Sequence, residues 1–395
     1  MGLIALLAAL LIEQFRPRAV NDRLHRAATA LADAVLRRFG GTAGWFLLVA
    51  AAVLLVWLLD VRLRREYPGT VFLAHVAILY YTIGFRRLGH AFAQIRSALV
   101  AEEPLLARSE FEGWLAGVDA TDDALPPGHV GADTDRAVDR FGDDMDDRDT
   151  LEADRDPPVS EPELCRAASA AALLAMHRHL FAPLFWYLLL PGVAGPVLYR
   201  LCAFLERHWS VARTSAAADP QGGAPAAGAV PEASAASSGH RDPARVREGL
   251  CAAWCTLRND GPMAAARTIR SVEPGLVARR SFYWLDWPAV RFTAAGFAIM
   301  GNFEDALYCW RAAIAAGTGD DARALLLASG SGALGVRLAD DALEARWSAG
   351  EQGVDCAVAS PEVRTLPAAV SLVWRAAALW VGLLALLTIA GWLGR

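Results

Sequence analysis

SFYWLDWPAVRFTAAGFAIMGNFEDALYCWRAAI, residues Ser281 to Ile314, contains a helix start, an apolar run holding one arginine, and an acidic turn. Asp286 can cap the exposed amides of a helix beginning at Trp287. Pro288 is tolerated in a first turn, where its missing N–H is not needed. From Trp287 to Met300 only Arg291 and Thr293 interrupt the apolar residues. A cation inside such a run is costly in lipid, so it requires a partner, a wet cavity or an interfacial depth. Gly301 and Asn302 supply turn chemistry, and Glu304 and Asp305 open the next helix where its dipole favours acids. The stretch therefore reads as two helices joined by a tight turn.

Gly301 to Leu307, with Ala313, also looks like one tetratricopeptide repeat. Such repeats recur about every 34 residues and need about three copies to bury a core. No second copy occurs upstream or downstream.

The chain has 395 residues, 55% of them hydrophobic, with a mean hydropathy of +0.28. That is more apolar than an ordinary soluble protein. The apolar residues fall in blocks, so the expected fold class is all-α: a polytopic integral membrane protein with amphipathic interfacial helices and disordered loops. The net charge of −5 conceals an asymmetry, because sixteen acids and four arginines lie between Asp119 and Glu163. The remainder is basic, and its bases are arginines. Basic residues beside apolar blocks face the cytoplasm and anionic lipid. Because the arginines are scattered beside apolar runs, a nucleic-acid partner is not expected.

Gly2–Ile12 is uncharged and reads as a short membrane helix or interfacial anchor, without the basic start or cleavage site of a signal peptide. Asn21–Phe39 places Leu24, Ala28, Leu31, Val35 and Phe39 at helical spacing with Arg23, Arg26, Arg37 and Arg38 elsewhere, an amphipathic helix for a membrane surface. Thr42–Leu59 is long enough to span. Asp60–Gly69 reads as an Arg-bearing connection, Thr70–Phe85 as a shorter apolar block containing His75, and Arg86–Glu103 as an amphipathic helix. Asp119–Pro158 has too few large apolar residues to fold alone. Its aspartates lack the glycine and terminal glutamate of a calcium loop.

Ser160 and Glu163 form the capping-box pattern at the head of an Ala-rich helix. Leu180–Tyr199 is uncharged but broken by Pro183, Pro191, Gly192, Gly195 and Pro196, so a kinked or re-entrant segment is expected. His177 and His179 diverge by about 200° on a helix and cannot share one metal. Ser215–Pro243 is a flexible linker by composition. Ala376–Leu393, flanked by Trp380 and Trp392, is the clearest spanning helix. These boundaries give six regions: 1–118, N-terminal membrane and amphipathic helices; 119–159, acidic loop; 160–214, Pro-broken central membrane region; 215–243, linker; 244–365, helical region with LDWPAVRFTA; 366–395, C-terminal transmembrane helix. Four or five membrane segments are expected, with the stretch from Arg16 to Arg38 cytoplasmic.

None of the six cysteines forms a Cys-x-x-Cys pair, and Cys251 and Cys255, one turn apart, read as packing residues. No zinc spacing, phosphate loop or nucleophile constellation occurs, so no metal and no cofactor are expected.

Several segments resemble, in order, one membrane superfamily. LIEQFRP from Leu11, AALLAMHRHLFAPLFWYLLLPGVAGPVLYRL, the LDWPAVRFTA block and TLPAAVSLVWRAAALWVGLLALLTIAG look like AmpE-type proteins, while SGALGVRL from Ser331 is similar to a segment of CobD/CbiB proteins. CobD/CbiB enzymes join an aminopropanol arm to a corrinoid acid in cobalamin assembly, and AmpE proteins modulate β-lactamase induction. An NTLDSM-like segment of the enzymes is replaced here by Leu201-Cys202-Ala203-Phe204-Leu205-Glu206, and a serine–proline–asparagine motif by Leu327 to Ser331. The resemblance therefore implies an AmpE-like, non-catalytic regulator in the bacterial inner membrane, with the amide-forming cobalamin enzyme as the alternative. The candidate ligand-binding residues are Arg291, Asp286, Glu163, Glu304 and Arg200. Membrane lipid and a small anionic ligand or corrinoid are the expected partners. For Arg291 two readings stand: a snorkelling anchor, or a guanidinium stacked on Trp287 and forked to a carboxylate or phosphate.

Overall fold

A computed structural model describes residues 2–15, 22–83, 88–118, 160–190, 192–217, 274–348 and 359–394. The acidic loop and most of the linker lie outside the described residues. Within them the protein is helical, with one isolated bridge between Val336 and Ala359. The helices are α1 (Gly2–Phe15), α2 (Asp22–Phe39), α3 (Gly41–Glu66), α4 (Pro68–Thr82), α5 (Leu88–Val100), α6 (Pro104–Val118), α7 (Glu161–Met176), α8 (Ala182–Leu189), α9 (Ala194–Ala217), α10 (Pro274–Met300), α11 (Phe303–Ala315), α12 (Ala322–Leu334), α13 (Asp341–Ser348) and α14 (Thr365–Leu393). They fall into two units: residues 1–20, 57–199 and 285–395, and residues 21–56 and 200–284.

The first unit is built around α7. Ser160 N–H donates to Glu163 Oε2 at 3.1 Å, closing its first turn. From Ala168 to Met176 every residue is buried, as expected of a helix whose small and apolar side chains meet neighbours all round. α7 packs on α6, α12 and α14, and α1 packs on α4. α11 and α12 form a close hairpin. Asn302 caps α11, its Oδ1 accepting from Asp305 N–H at 3.4 Å. A Cβ at Gly332 would run into the Asp305 carbonyl and the Ala306 backbone, so glycine lets the two helices touch. Gly335, at φ +68°, ends α12 in the left-handed conformation.

Among the described residues two helices are long and apolar enough to cross a membrane, Thr42–Glu66 and Thr365–Leu393. Their most apolar windows are only 6% and 17% buried, so these side chains are not serving an interior core. α1 and α4 are apolar but shorter.

Two expectations are corrected. Asp286 does not cap a helix, because α10 runs unbroken from Pro274 to Met300 with Pro288 inside it. Proline removes one backbone bond there, and the turns on both sides hold the helix continuous. Asp60–Glu66 is no connection but the last turns of α3, where Arg64 pairs with Asp60 at 2.9 Å and Arg62 with Glu66 at 2.8 Å, each one turn apart. The break expected between Leu180 and Tyr199 is found at Gly192, while Pro183 lies in the first turn of α8 and a further irregular turn precedes it. A π-helical turn, His177–Phe181, follows α7, and a turn at Gly192 and Val193 separates α8 from α9.

Candidate functional site

Four polar side chains converge inside the first unit. His177 opens the π-helical turn, where one extra residue per turn re-aims a side chain. Tyr199 lies in the second turn of α9. Asp286 and Thr293 are seven residues apart on α10, two turns and hence one face.

His177 Nε2 lies 3.1 Å from Asp286 Oδ1, and Nδ1 lies 2.9 Å from Thr293 Oγ1. Tyr199 donates its hydroxyl hydrogen to Asp286 Oδ1 at 2.8 Å. Thr293 donates its own hydrogen to Ala289 O at 3.0 Å, so its oxygen accepts from His177 Nδ1. The arrangement is an imidazole ring held between a carboxylate and a hydroxyl. All four residues are at most 7% exposed, so water does not share these bonds. Burial pushes the Asp286 carboxyl up; the charge and hydrogen bond of His177, the Arg178 charge and the Tyr199 hydroxyl outweigh it and hold the group below its ordinary value.

A closed network of this kind orients and rigidifies. It ties the π-helical turn, the start of α9 and the middle of α10 into one geometry. Asp286 is thereby placed with partners that its sequence context did not reveal. His177 and Thr293 were visible only as polar residues in apolar helices, and Tyr199 as the residue before Arg200.

The five sequence candidates are not brought together. Arg291, a little over one turn beyond Asp286, lies flat on Trp287, its guanidinium carbon 3.6 Å from the ring centroid. It donates to Trp287 O at 3.2 Å and to Gly319 O at 3.1 Å. Glu163 is occupied by the α7 cap, and that bond to Ser160 holds its carboxyl below the ordinary range. Glu304 is exposed in the first turn of α11. Arg200 belongs to the second unit.

A second polar cluster sits where α3 meets α4. His75, 4% exposed within an apolar helix, places Nε2 2.7 Å from Asp60 Oδ1, while Arg64 holds Asp60 Oδ2 at 2.9 Å. Gly192 has φ +79°, and a Cβ there would stand 3.0 Å from Asp60 Oδ2. The turn before α9 thus needs glycine both for its backbone and for its approach to the carboxylate.

No family model and no solved structure matches the chain. Two curated proteins do. The chain is 25% identical over 378 residues to the cobalamin biosynthesis protein CobD of Stutzerimonas stutzeri, covering 92% of this chain and 89% of that protein. It is 29% identical over 192 residues to the cobalamin biosynthesis protein CobD of Chromobacterium violaceum, covering 49% and 48%. These relatives support the CobD/CbiB side of the resemblance. They overturn the expectation of an AmpE-like, non-catalytic regulator, which rested on segment matches and on two missing linear motifs.

Proposed function

We propose that this protein acts in cobalamin biosynthesis as a CobD/CbiB-type membrane enzyme, forming the amide that joins an aminopropanol arm to a corrinoid acid. The similarity that carries this reading runs nearly end to end, over 92% of this chain and 89% of the Stutzerimonas stutzeri protein. It extends far beyond the segments from which the resemblance was first read. The two outward-facing apolar helices support a place in the bacterial inner membrane, with α1 and α4 as further membrane segments of a multi-pass chain.

In this reading the His177–Asp286–Tyr199 network is a positioning device. It fixes the rotation of α10 and with it the direction of Arg291, which would meet an acidic group of a substrate. Arginine suits that task because its planar fork matches a carboxylate or phosphate and keeps its charge. Expression in a strain lacking the amide-forming synthase is the test. Growth on cobyric acid without added cobinamide is expected. No growth, with the protein abundant in the membrane fraction, would sink the reading.

A further inference from the structure

We propose that the outward face of α2 is a docking surface for anionic phospholipid headgroups, fixed at the mouth of the helix that follows. The inference rests on α3 crossing a membrane, and concerns the unit of residues 21–56 and 200–284.

Helix α2 has two unlike sides. On one, Ala32 is fully buried; Asp33, at the edge between that side and Arg26 and Arg37, places Oδ1 2.8 Å from Nε2 of His208 on α9. On the other, Arg26, Arg37 and Arg38 are exposed, and Leu31 stands between them along the chain at 60% exposure. On a 3.6-residue helix Arg26, Arg37, Arg38 and Leu31 fall within about 140° of one another, opposite Ala32. Asp33 is the acid among the described side chains of α2, and it is turned to His208. The outward face is cationic, bounded by the His208-paired Asp33 at one edge and by Leu31 at the other. At its end Phe39 is 45% exposed with Arg38 over its ring at 6.0 Å.

Its placement selects the occupant. Gly40, at φ +81°, stops α2, and its N–H bonds Leu36 O at 2.9 Å. α3 starts at the next residue, and a Cβ at Gly44 would touch Val35 at 3.4 Å. The chain turns a sharp corner, so α2 cannot continue the axis of α3. If Thr42–Glu66 spans the bilayer, α2 is within a turn of its N-terminal end, at headgroup depth. Leu31 then enters the acyl boundary and the arginines meet phosphates. A basic side chain near an anionic surface contributes about a fivefold preference, so three contribute on the order of a hundredfold.

Amide hydrogen exchange of residues 26–39 in the full-length protein tests this, in nanodiscs of phosphatidylcholine alone and with phosphatidylglycerol. Slowing of about tenfold or more is expected with phosphatidylglycerol, lost in Arg37→Gln/Arg38→Gln and at high salt, with α7 amides unchanged. Equal exchange in the two bilayers would overturn the proposal. So would slowing that survives the double substitution. Protection by inorganic phosphate in phosphatidylcholine discs would reassign the arginines to a soluble anion and also overturn it. A chain that enters nanodiscs but fails complementation removes the enzyme reading and leaves this one standing; a chain that does not enter them removes both.

Discussion

Removing the Asp286 carboxylate tests the buried network most directly. Asp286→Ala takes the acceptor from His177 Nε2 and from the Tyr199 hydroxyl at once, at 3.1 and 2.8 Å. It leaves the His177 ring and the Tyr199 hydroxyl without that acceptor in a site where no residue is more than 7% exposed. Leaving a buried hydrogen-bonding group unsatisfied costs about 1–3 kcal/mol, and here two groups lose their acceptor. Tyr199→Phe keeps the ring and loses one bond to a charged acceptor, about 1.5–3 kcal/mol. In the Asp286→Ala background that hydroxyl has no carboxylate to bond, so the second substitution should cost little. The coupling energy is then about 1.5–3 kcal/mol. Reversible denaturant unfolding of the four proteins in micelles measures it. A single-variant loss under about 1 kcal/mol for Asp286→Ala, or additive losses, would refute the network as described.

The same pair fixes a pH dependence. The folded Asp286 value lies below its unfolded one. Its contribution is therefore complete above the unfolded value, roughly 3.9, and is lost as pH falls through the lower folded value. Wild-type stability should drop on that acid limb more steeply than that of Asp286→Ala. Parallel acid limbs would show that the carboxylate is not held by its partners.

Three further outcomes follow from close contacts. Gly332→Ala forces a methyl into the Asp305 carbonyl and the Ala306 backbone, and should cost about 1–3 kcal/mol in unfolding measurements; an unchanged midpoint would mean that α11 and α12 separate freely. His75→Leu deletes the bond to Asp60 inside the α3–α4 pair and should cost about 1–3 kcal/mol, whereas a neutral result would place that carboxylate in water. Arg291→Lys loses the flat stack on Trp287 and the paired contacts to two carbonyls. It should abolish complementation while the protein stays abundant in the membrane; wild-type growth would leave only an anchoring role.

Much of the helical plan was legible because it is periodic and local. The capping box at Ser160, the turn at Gly301 and Asn302, and the two long apolar runs each carry their signal within a few residues. Errors arose where a local signal had a second solution. Asp286 and Pro288 read as a helix start, yet a proline can also sit inside a helix that neighbours hold together. Asp60, Arg62, Arg64 and Arg65 read as a connection, yet one-turn ion pairs let charges extend α3 by two turns.

The polar interior was not legible for a different reason, and the same reason explains the functional misreading. His177, Tyr199 and Asp286 lie in segments separated by 87 and 109 residues along their hydrogen bonds, and no spacing rule joins them. Two absent motifs argued that the polar groups of an enzyme were gone. A missing word in one segment says nothing about side chains that three separate helices deliver to one place. The chain carries apolar residues at both departures, yet it buries a carboxylate, hydrogen-bonded to His177 and Tyr199, a short distance along α10 from Arg291. Keeping a carboxylate charged in a dry interior is costly unless its partners are held in place. That cost falls on the helix that also carries Trp287 and Arg291, and there the substitution of arginine by lysine separates a tuned contact from a mere anchor.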